Sequence, residues 1–241
     1  MARVDAREPS SRPAFGACPA STILVIAPHS DDEVLGVGGT IARLSGEGRR
    51  VVVAVVTKGY EPDFPQALID QGRDEAKRAH ELLGVGEAVF LDLPAARLDT
   101  VAHADVNVRI GSLVDEVRPA TVFVPFAGDV HLDHQLVALS AMVCCRPCCE
   151  RMPSAVYAYE TLSETNWNAP YITPAFQPNT YFDISSHLAT KLDALRAFST
   201  QMRPFPNERS IEAAEHLARL RGCAVGLPAA EAFVLLRQVV R

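Results

Sequence analysis

Residues 22–33 read TILVIAPHSDDE, an apolar run of strand length that stops at a proline and turns into a histidine, a serine and three acids. A run that is apolar throughout, and not at alternate positions, marks a strand buried on both faces, as in a parallel sheet covered by helices. Three carboxylates crowded at the end of such a strand repel one another unless a cation or protons neutralise them. The stretch therefore predicts both an architecture and a place where chemistry happens.

The same grammar continues downstream. VVVAVVT at 51–57 reads as a second buried strand, 88–91 as a short third and TVFV at 121–124 as a fourth. Between them fall helical segments at about 38–45, closed by Gly46 and Gly48, at 66–83, ended by Gly84, and at about 104–117, stopped by Pro119. A further helix starts within HLDHQLVALSAMV at 131–143. Buried strands alternating with helices, joined by right-handed crossovers, predict an α/β fold: a Rossmann-like three-layer sandwich with a mostly parallel sheet. Beyond Pro153 the alternation weakens into a C-terminal elaboration. It comprises strands at 154–159 and 180–184, helices at 187–201 and 211–221, and an irregular stretch at 160–177 that carries Trp167. No internal repeat or low-complexity linker interrupts the chain, so residues 22–241 read as one domain behind a flexible lead-in, 1–21.

Composition narrows the function. The 241 residues are 48% hydrophobic and 22% charged with a net charge of −6, an ordinary globular balance. No basic run with interleaved aromatics suggests nucleic acid as a partner. No apolar stretch approaches a membrane span, and the first residues lack the apolar core of a secretory signal, so a cytoplasmic location is expected. Four of the six cysteines cluster in CCRPCC at 144–149. Cys145 and Cys148 have C-x-x-C spacing, but they follow a helix and do not open one, and no second ligand pair completes a zinc knuckle. They read as buried or half-buried thiols.

A second acid and histidine cluster, DVHLDH at 129–134, follows the fourth strand as PHSDDE follows the first. In a doubly wound sheet with strands 1 and 4 adjacent, the two clusters meet at the topological switch point, where ligands bind. A metal accounts for both. His29 and Asp32, three residues apart, share one side if the chain turns helical, and one histidine of the second cluster completes a two-histidine, one-carboxylate set. Three ligands with an open position for water make a catalytic zinc site. Asp31 is then free to act as general base, and the spare second-cluster histidine to serve the leaving nitrogen or the oxyanion, with Asp133 orienting it.

These residues carry a resemblance. PHSDDE and HLDH resemble the two motifs of the PIG-L/LmbE-like N-acetylglucosaminyl deacetylase family, usually HPDDE and HxDH. YETLSETNW, PNTYFDIS and RSIEAAEHLARLRG…AEAF are similar to C-terminal segments of its bacterial branch, which includes bacillithiol-pathway deacetylases. The resemblance implies His29, Asp32 and His134 as zinc ligands, Asp31 as base, His131 as second catalytic histidine with Asp133 as its partner, and Arg73 in the substrate pocket. It also implies a small N-acetylated sugar or glycoconjugate as substrate and a homo-oligomer, trimer or hexamer. Ser30 departs from the family's proline, and Asp129 stands where some members place an oxyanion-stabilising tyrosine.

Other readings differ in class. Two histidines and a carboxylate also form the iron(II) triad of oxygenases, and iron(II) suits the same ligands. A non-catalytic sugar- or nucleotide-binding protein would use the acids only for a structural ion. Taken without the resemblance, Arg73 reads as a solvated helix residue, Glu33 as either a supporting acid or a helix N-terminal one, and Gly36–Gly39 as a close-packing stretch. His80, His103, His187 and His216 read as surface or packing residues.

Overall fold

The first apolar run forms β1 (Ile23–Ala27), and its side chains part to opposite faces: Ile23 and Val25 join one buried cluster, Leu24 and Ile26 another. Complete burial of each such side chain contributes about 1.5–3 kcal/mol, so a central strand apolar at every position is what a sheet covered on both faces selects. The computed structural model describes residues 22–147 and 152–240. The lead-in 1–21, with Cys18, and Cys148 and Cys149 lie outside the described residues.

Along the chain follow α1 (Asp32–Gly46), β2 (Val51–Lys58), α2 (Gln66–Leu83), β3 (Glu87–Pro94), α3 (His103–Val117), β4 (Thr121–Pro125) and α4 (Leu132–Cys144). The C-terminal part adds β5 (Ala155–Tyr159), β6 (Thr180–Asp183), α5 (Leu188–Arg196), α6 (Ile211–Cys223) and β7 (Ala230–Gln238). The sheet order is β3-β2-β1-β4-β5-β7-β6. Strands β3 to β5 run parallel, with β1 between β2 and β4, and β7 runs antiparallel to both β5 and β6. Helices α1, α2, α5 and α6 cover one face, α3 and α4 the other. This is the expected α/β sandwich, with strands 1 and 4 adjacent.

Strand β3, expected as a short run at 88–91, extends over Glu87–Pro94, and three other elements differ more from the sequence reading. Helix α1 begins at Asp32, not near Gly38. Its glycines lower helix propensity, yet they are needed for close approach. A Cβ at Gly36 would lie 2.3 Å from Tyr159 Cδ2, and one at Gly39 2.7 Å from Ile184 Cδ1. Helix α5 ends at Arg196, before 201, because Ser199 and Thr200 turn their hydroxyls to the buried Glu75 carboxylate (2.6 Å each). Strand β7 was not anticipated: AEAFVLLRQ is too short and too mixed for periodicity to separate strand from helix.

The cysteine reading holds where it can be followed. Cys144 ends α4, Cys145 is buried just beyond it, and burial pushes the Cys145 thiol up to about 12, away from reactive thiolate. Among the described residues no helix is long and apolar enough to cross a membrane.

Candidate metal centre

The loops leaving β1 and β4 lie side by side at the carboxyl edge of the sheet, and both sequence clusters sit in them. After β1 the chain turns at once into α1, so that Asp32 reaches back: its Oδ2 accepts the His29 backbone N–H at 2.9 Å. His29 Nδ1 and His134 Nε2 each lie 3.2 Å from that same Oδ2. Each imidazole is held from behind by another carboxylate. His29 Nε2 is 3.1 Å from Asp133 Oδ2, and His134 Nδ1 is 2.9 Å from Asp129 Oδ2. A carboxylate on the far ring nitrogen fixes the orientation and tautomer of a histidine ligand.

The donor set suits a metal ion. The three candidate ligand atoms lie within 4.8 Å of one another. His134 Nε2 and Asp32 Oδ1 are buried without a hydrogen-bond partner, an arrangement that costs free energy unless something else satisfies them. Ligands about 2.05 Å from a tetrahedral zinc stand about 3.3 Å apart, close to the observed 3.2 Å separations. Burial acts to lower the imidazole pKa values. The surrounding carboxylates outweigh it, pushing His29 up to about 9 and His134 to about 10. Burial acts to raise Asp32, yet His134 and His29 hold it well below the usual carboxylate range. The protons on this cluster are those that a cation would displace.

Asp31 stands beside the cluster, 1% exposed, with φ 120°, a region that costs a non-glycine residue strain and recurs at functional sites. Its N–H donates to Glu33 Oε2 at 3.1 Å, and Glu33 Oε1 is 2.7 Å from His80 Nε2. Its carboxylate pairs with Arg209, which also donates to Ser163 Oγ at 2.8 Å. Burial raises the Asp31 carboxyl, Arg209 opposes, and Asp32 and Glu33 raise it further, to about 7.

His131 caps α4: its Nδ1 accepts the Asp133 N–H at 3.1 Å, and its ring meets that of His29 edge-on, centroids 4.6 Å apart. Burial, and then the His29 charge, lower its pKa. Asp133 departs from the expected role. Its carboxylate backs His29, and accepts the Ala96 N–H at 2.7 Å, so that only its backbone serves His131. Asp129, in the position of the absent tyrosine, backs His134 and accepts the Thr165 hydroxyl at 2.6 Å.

A cleft of about 630 Å³ opens over His29, Asp31 and His131. Arg73 lines it from within α2, its guanidinium 4.3 Å above the Phe90 ring and paired with Asp92. Trp167 is exposed and does not line the cleft. Sequence reading missed Arg209 and His80. Arg209 is 178 residues from its partner Asp31, and no local pattern announces either contact. Glu33 is the supporting acid of its two readings and also lies in the first turn of α1.

Fold and site together define the class: a Rossmann-like scaffold whose switch point carries a two-histidine, one-carboxylate cluster able to hold a metal. The family model described as PIG-L, GlcNAc-PI de-N-acetylase, matches residues 24–145, and the chain belongs to that family, a hydrolase of the N-deacetylase kind. The uncharacterised deacetylase YaiS of Escherichia coli K12 is 30% identical over 183 residues, 72% of this chain and 88% of that protein. A 1D-myo-inositol 2-acetamido-2-deoxy-alpha-D-glucopyranoside deacetylase of Mycobacteroides abscessus is 28% identical, covering 75% of this chain and 81% of its own. Among solved structures, N,N'-diacetylchitobiose deacetylase from Pyrococcus horikoshii superposes with a TM-score of 0.72 at 24% identity, over 90% of this chain and 84% of that one. The fold is not confined to deacetylases: GalB, a 4-carboxy-2-hydroxymuconate hydratase of Pseudomonas putida KT2440, matches with a TM-score of 0.73 at 22% identity, over 92% and 98%.

Proposed function

We propose that this chain is a zinc-dependent N-deacetylase that removes the acetyl group from an N-acetylglucosamine-type sugar or conjugate, releasing acetate and a free amine. The observation that carries the reading is the convergence of two carboxylate-backed imidazoles on Asp32, beside a buried, strained Asp31 at the floor of an open cleft. The names of the relatives, which act on acetamido sugars, point to the same substrate class.

His29 Nδ1, Asp32 and His134 Nε2 are the residues that would hold the metal, with Asp133 and Asp129 fixing the two rings. When bound, zinc supplies a polarised amide carbonyl and an acidified water. Asp31 takes the proton of the attacking water, and a carboxyl near 7 can afterwards return it to the leaving nitrogen. Arg209 and the Glu33–His80 pair hold Asp31 in place through its side chain and backbone. His131 accepts a backbone N–H at Nδ1, so in its neutral form the proton sits on Nε2. That proton is available to the amide oxygen as negative charge develops there.

A sheet running from Ile23 to Gln238 supports reading 22–241 as one deacetylase domain. The homo-oligomer that the resemblance implies is tested by light scattering. The activity is tested by acetate release from a panel of N-acetylated sugars, with iron(II) and zinc compared on metal-stripped protein. Zinc-supported release is expected. Release from no member, with metal bound, would move the chain toward another reaction of this fold, such as hydration.

A further inference from the structure

The glycine-rich stretch 36–39 of α1 meets a buried ion pair from the C-terminal elaboration, and the deacetylation chemistry uses neither. Lys191, from α5, is the only lysine or arginine buried among the described residues, at 3% exposure, and its partner Glu231, from β7, is 5% exposed. Lys191 Nζ lies 2.5 Å from Glu231 Oε1. Both side chains also bond to the backbone of α1. Lys191 Nζ donates to Leu35 O at 2.7 Å, while Glu231 accepts the Gly39 N–H at 2.9 Å and the Thr40 N–H at 2.7 Å. Leu35 O and the Gly39 N–H are the two ends of one i→i−4 rung of the helix, so the pair enters the ladder from the side.

The glycines make that approach possible. A Cβ at Gly38 would stand 3.3 Å from Lys191 Cγ, tighter than ordinary van der Waals contact. From the rung the hydrogen bonds run on to the site. The Leu35 N–H donates to Asp31 O at 2.8 Å, and the Val34 N–H to the same oxygen at 3.0 Å. The residue whose carbonyl takes Lys191 thus holds, with its own amide, the carbonyl of Asp31, and Asp32 and Glu33 lie in the turn between. A backbone at φ 120° persists only where its surroundings over-determine it. A buried ion pair often adds nothing to stability over apolar side chains of similar volume, so its place in this core calls for another reason.

We propose that Lys191 and Glu231 are positioning residues for the reaction: they fix the first turns of α1, and through them the backbone of Asp31 and the carboxylate of Asp32. The inference rests on the deacetylase reading and extends its working parts to α5 and β7. A shift of about 1 Å in a reacting group, caused by a change far from the chemistry, can cost about a hundredfold in rate.

The test replaces both residues at once, so that no buried charge is left alone, in Lys191→Met/Glu231→Leu and in Lys191→Met/Glu231→Gln. The first removes every hydrogen bond from the pair to α1; the second returns a side-chain acceptor for the helix amides. At saturating zinc, with the N-acetylated sugar that the parent deacetylates best, kcat is expected to fall about tenfold to a hundredfold in the first, with KM within about threefold. It should recover about threefold or more in the second. Amide hydrogen exchange of the metal-free protein gives a readout that needs no activity: residues 32–38 should exchange about tenfold faster in the first variant, with β2 and β4 unaltered. A pair that serves the fold alone would lower the melting temperature and leave kcat per folded molecule unchanged. That result, or unaltered exchange over 32–38, overturns the proposal while deacetylation stands. If the first variant does not fold, the second is read against the parent on the same two measurements. If the parent deacetylates no sugar, the reaction assignment fails, and zinc affinity decides the positioning role. Affinity about tenfold weaker in the folded variant supports it; unaltered affinity overturns it.

Discussion

Asp129 tests the metal centre without a change to any candidate ligand, because it acts from behind His134. Its carboxylate accepts from His134 Nδ1 at 2.9 Å and from Thr165 Oγ1 at 2.6 Å. In Asp129→Asn the amide oxygen can keep the histidine while the NH2 group turns to the threonine hydroxyl, so the contacts survive and only the negative charge is lost. In Asp129→Ala both partners lose their acceptor and the ring of His134 is free to rotate. Loss of a carboxylate behind a histidine ligand typically costs 10–100-fold in metal affinity, about 1.4–2.7 kcal/mol. Asp129→Asn is expected near the lower end and Asp129→Ala near or above the upper, measured as zinc affinity by competition with a chromophoric chelator. Stability of the metal-free protein should move differently. Burial raises the Asp129 carboxyl, which opposes folding, while Asp129 helps raise the His134 imidazole, which favours it; the two offset, and Asn should change the melting temperature little. Zinc affinities of both variants within about twofold of the parent would refute the account of how His134 is held.

Further predictions concern the frame around the site. Gly36→Ala places a methyl 2.3 Å from Tyr159 Cδ2 and 2.9 Å from Glu160 O, and should cost about 1–3 kcal/mol in denaturant unfolding. His80→Ala leaves the buried Glu33 carboxylate without its 2.7 Å partner; a loss of about 3 kcal/mol is expected, with kcat falling more than KM rises, since Asp31 loses its support. Burial works to raise Glu75, but hydrogen bonds from Ser199, Thr200 and Gln71 hold it below its ordinary value. A depressed carboxyl stabilises the fold above the unfolded pKa and loses that contribution as pH falls through the folded one. Glu75→Gln should therefore cost about 1–2 kcal/mol at pH 7, and the gap from the parent should close below about pH 4.

Legibility followed the range of the interactions. The strands β1, β2 and β4 could be read because double-sided burial writes continuous apolar runs, and the two acid–histidine clusters because they are contiguous in the chain and sit directly behind such runs. Helix α2 was placed with its observed ends, since Gly84 takes the left-handed cap at φ 72°. What escaped depends on distant partners. Glycines 36–39 argue against a helix start until Tyr159 and Ile184 are seen pressing on them. Asp133 looked like the companion of its neighbour His131, whereas the turn into α4 sends its carboxylate to His29, 104 residues away. Arg209 reaches Asp31 directly from 178 residues away, and His80, which reads locally as a surface or packing residue, supports it only through Glu33. Strand β7 owes its state to the open edge of β5 more than to its own pattern.

The most direct measurement is a zinc titration of metal-stripped protein, followed as acetate released from an N-acetylated sugar, for the parent and for Asp31→Asn, a residue type that tolerates the positive φ. The account predicts activity that rises to a plateau at one zinc per chain in the parent, and a variant that binds zinc equally but releases acetate at least a hundredfold more slowly, within the range of about 10²–10⁴ that a positioned base contributes. Release that ignores the metal, or an Asp31→Asn protein as active as the parent at full zinc occupancy, would contradict it.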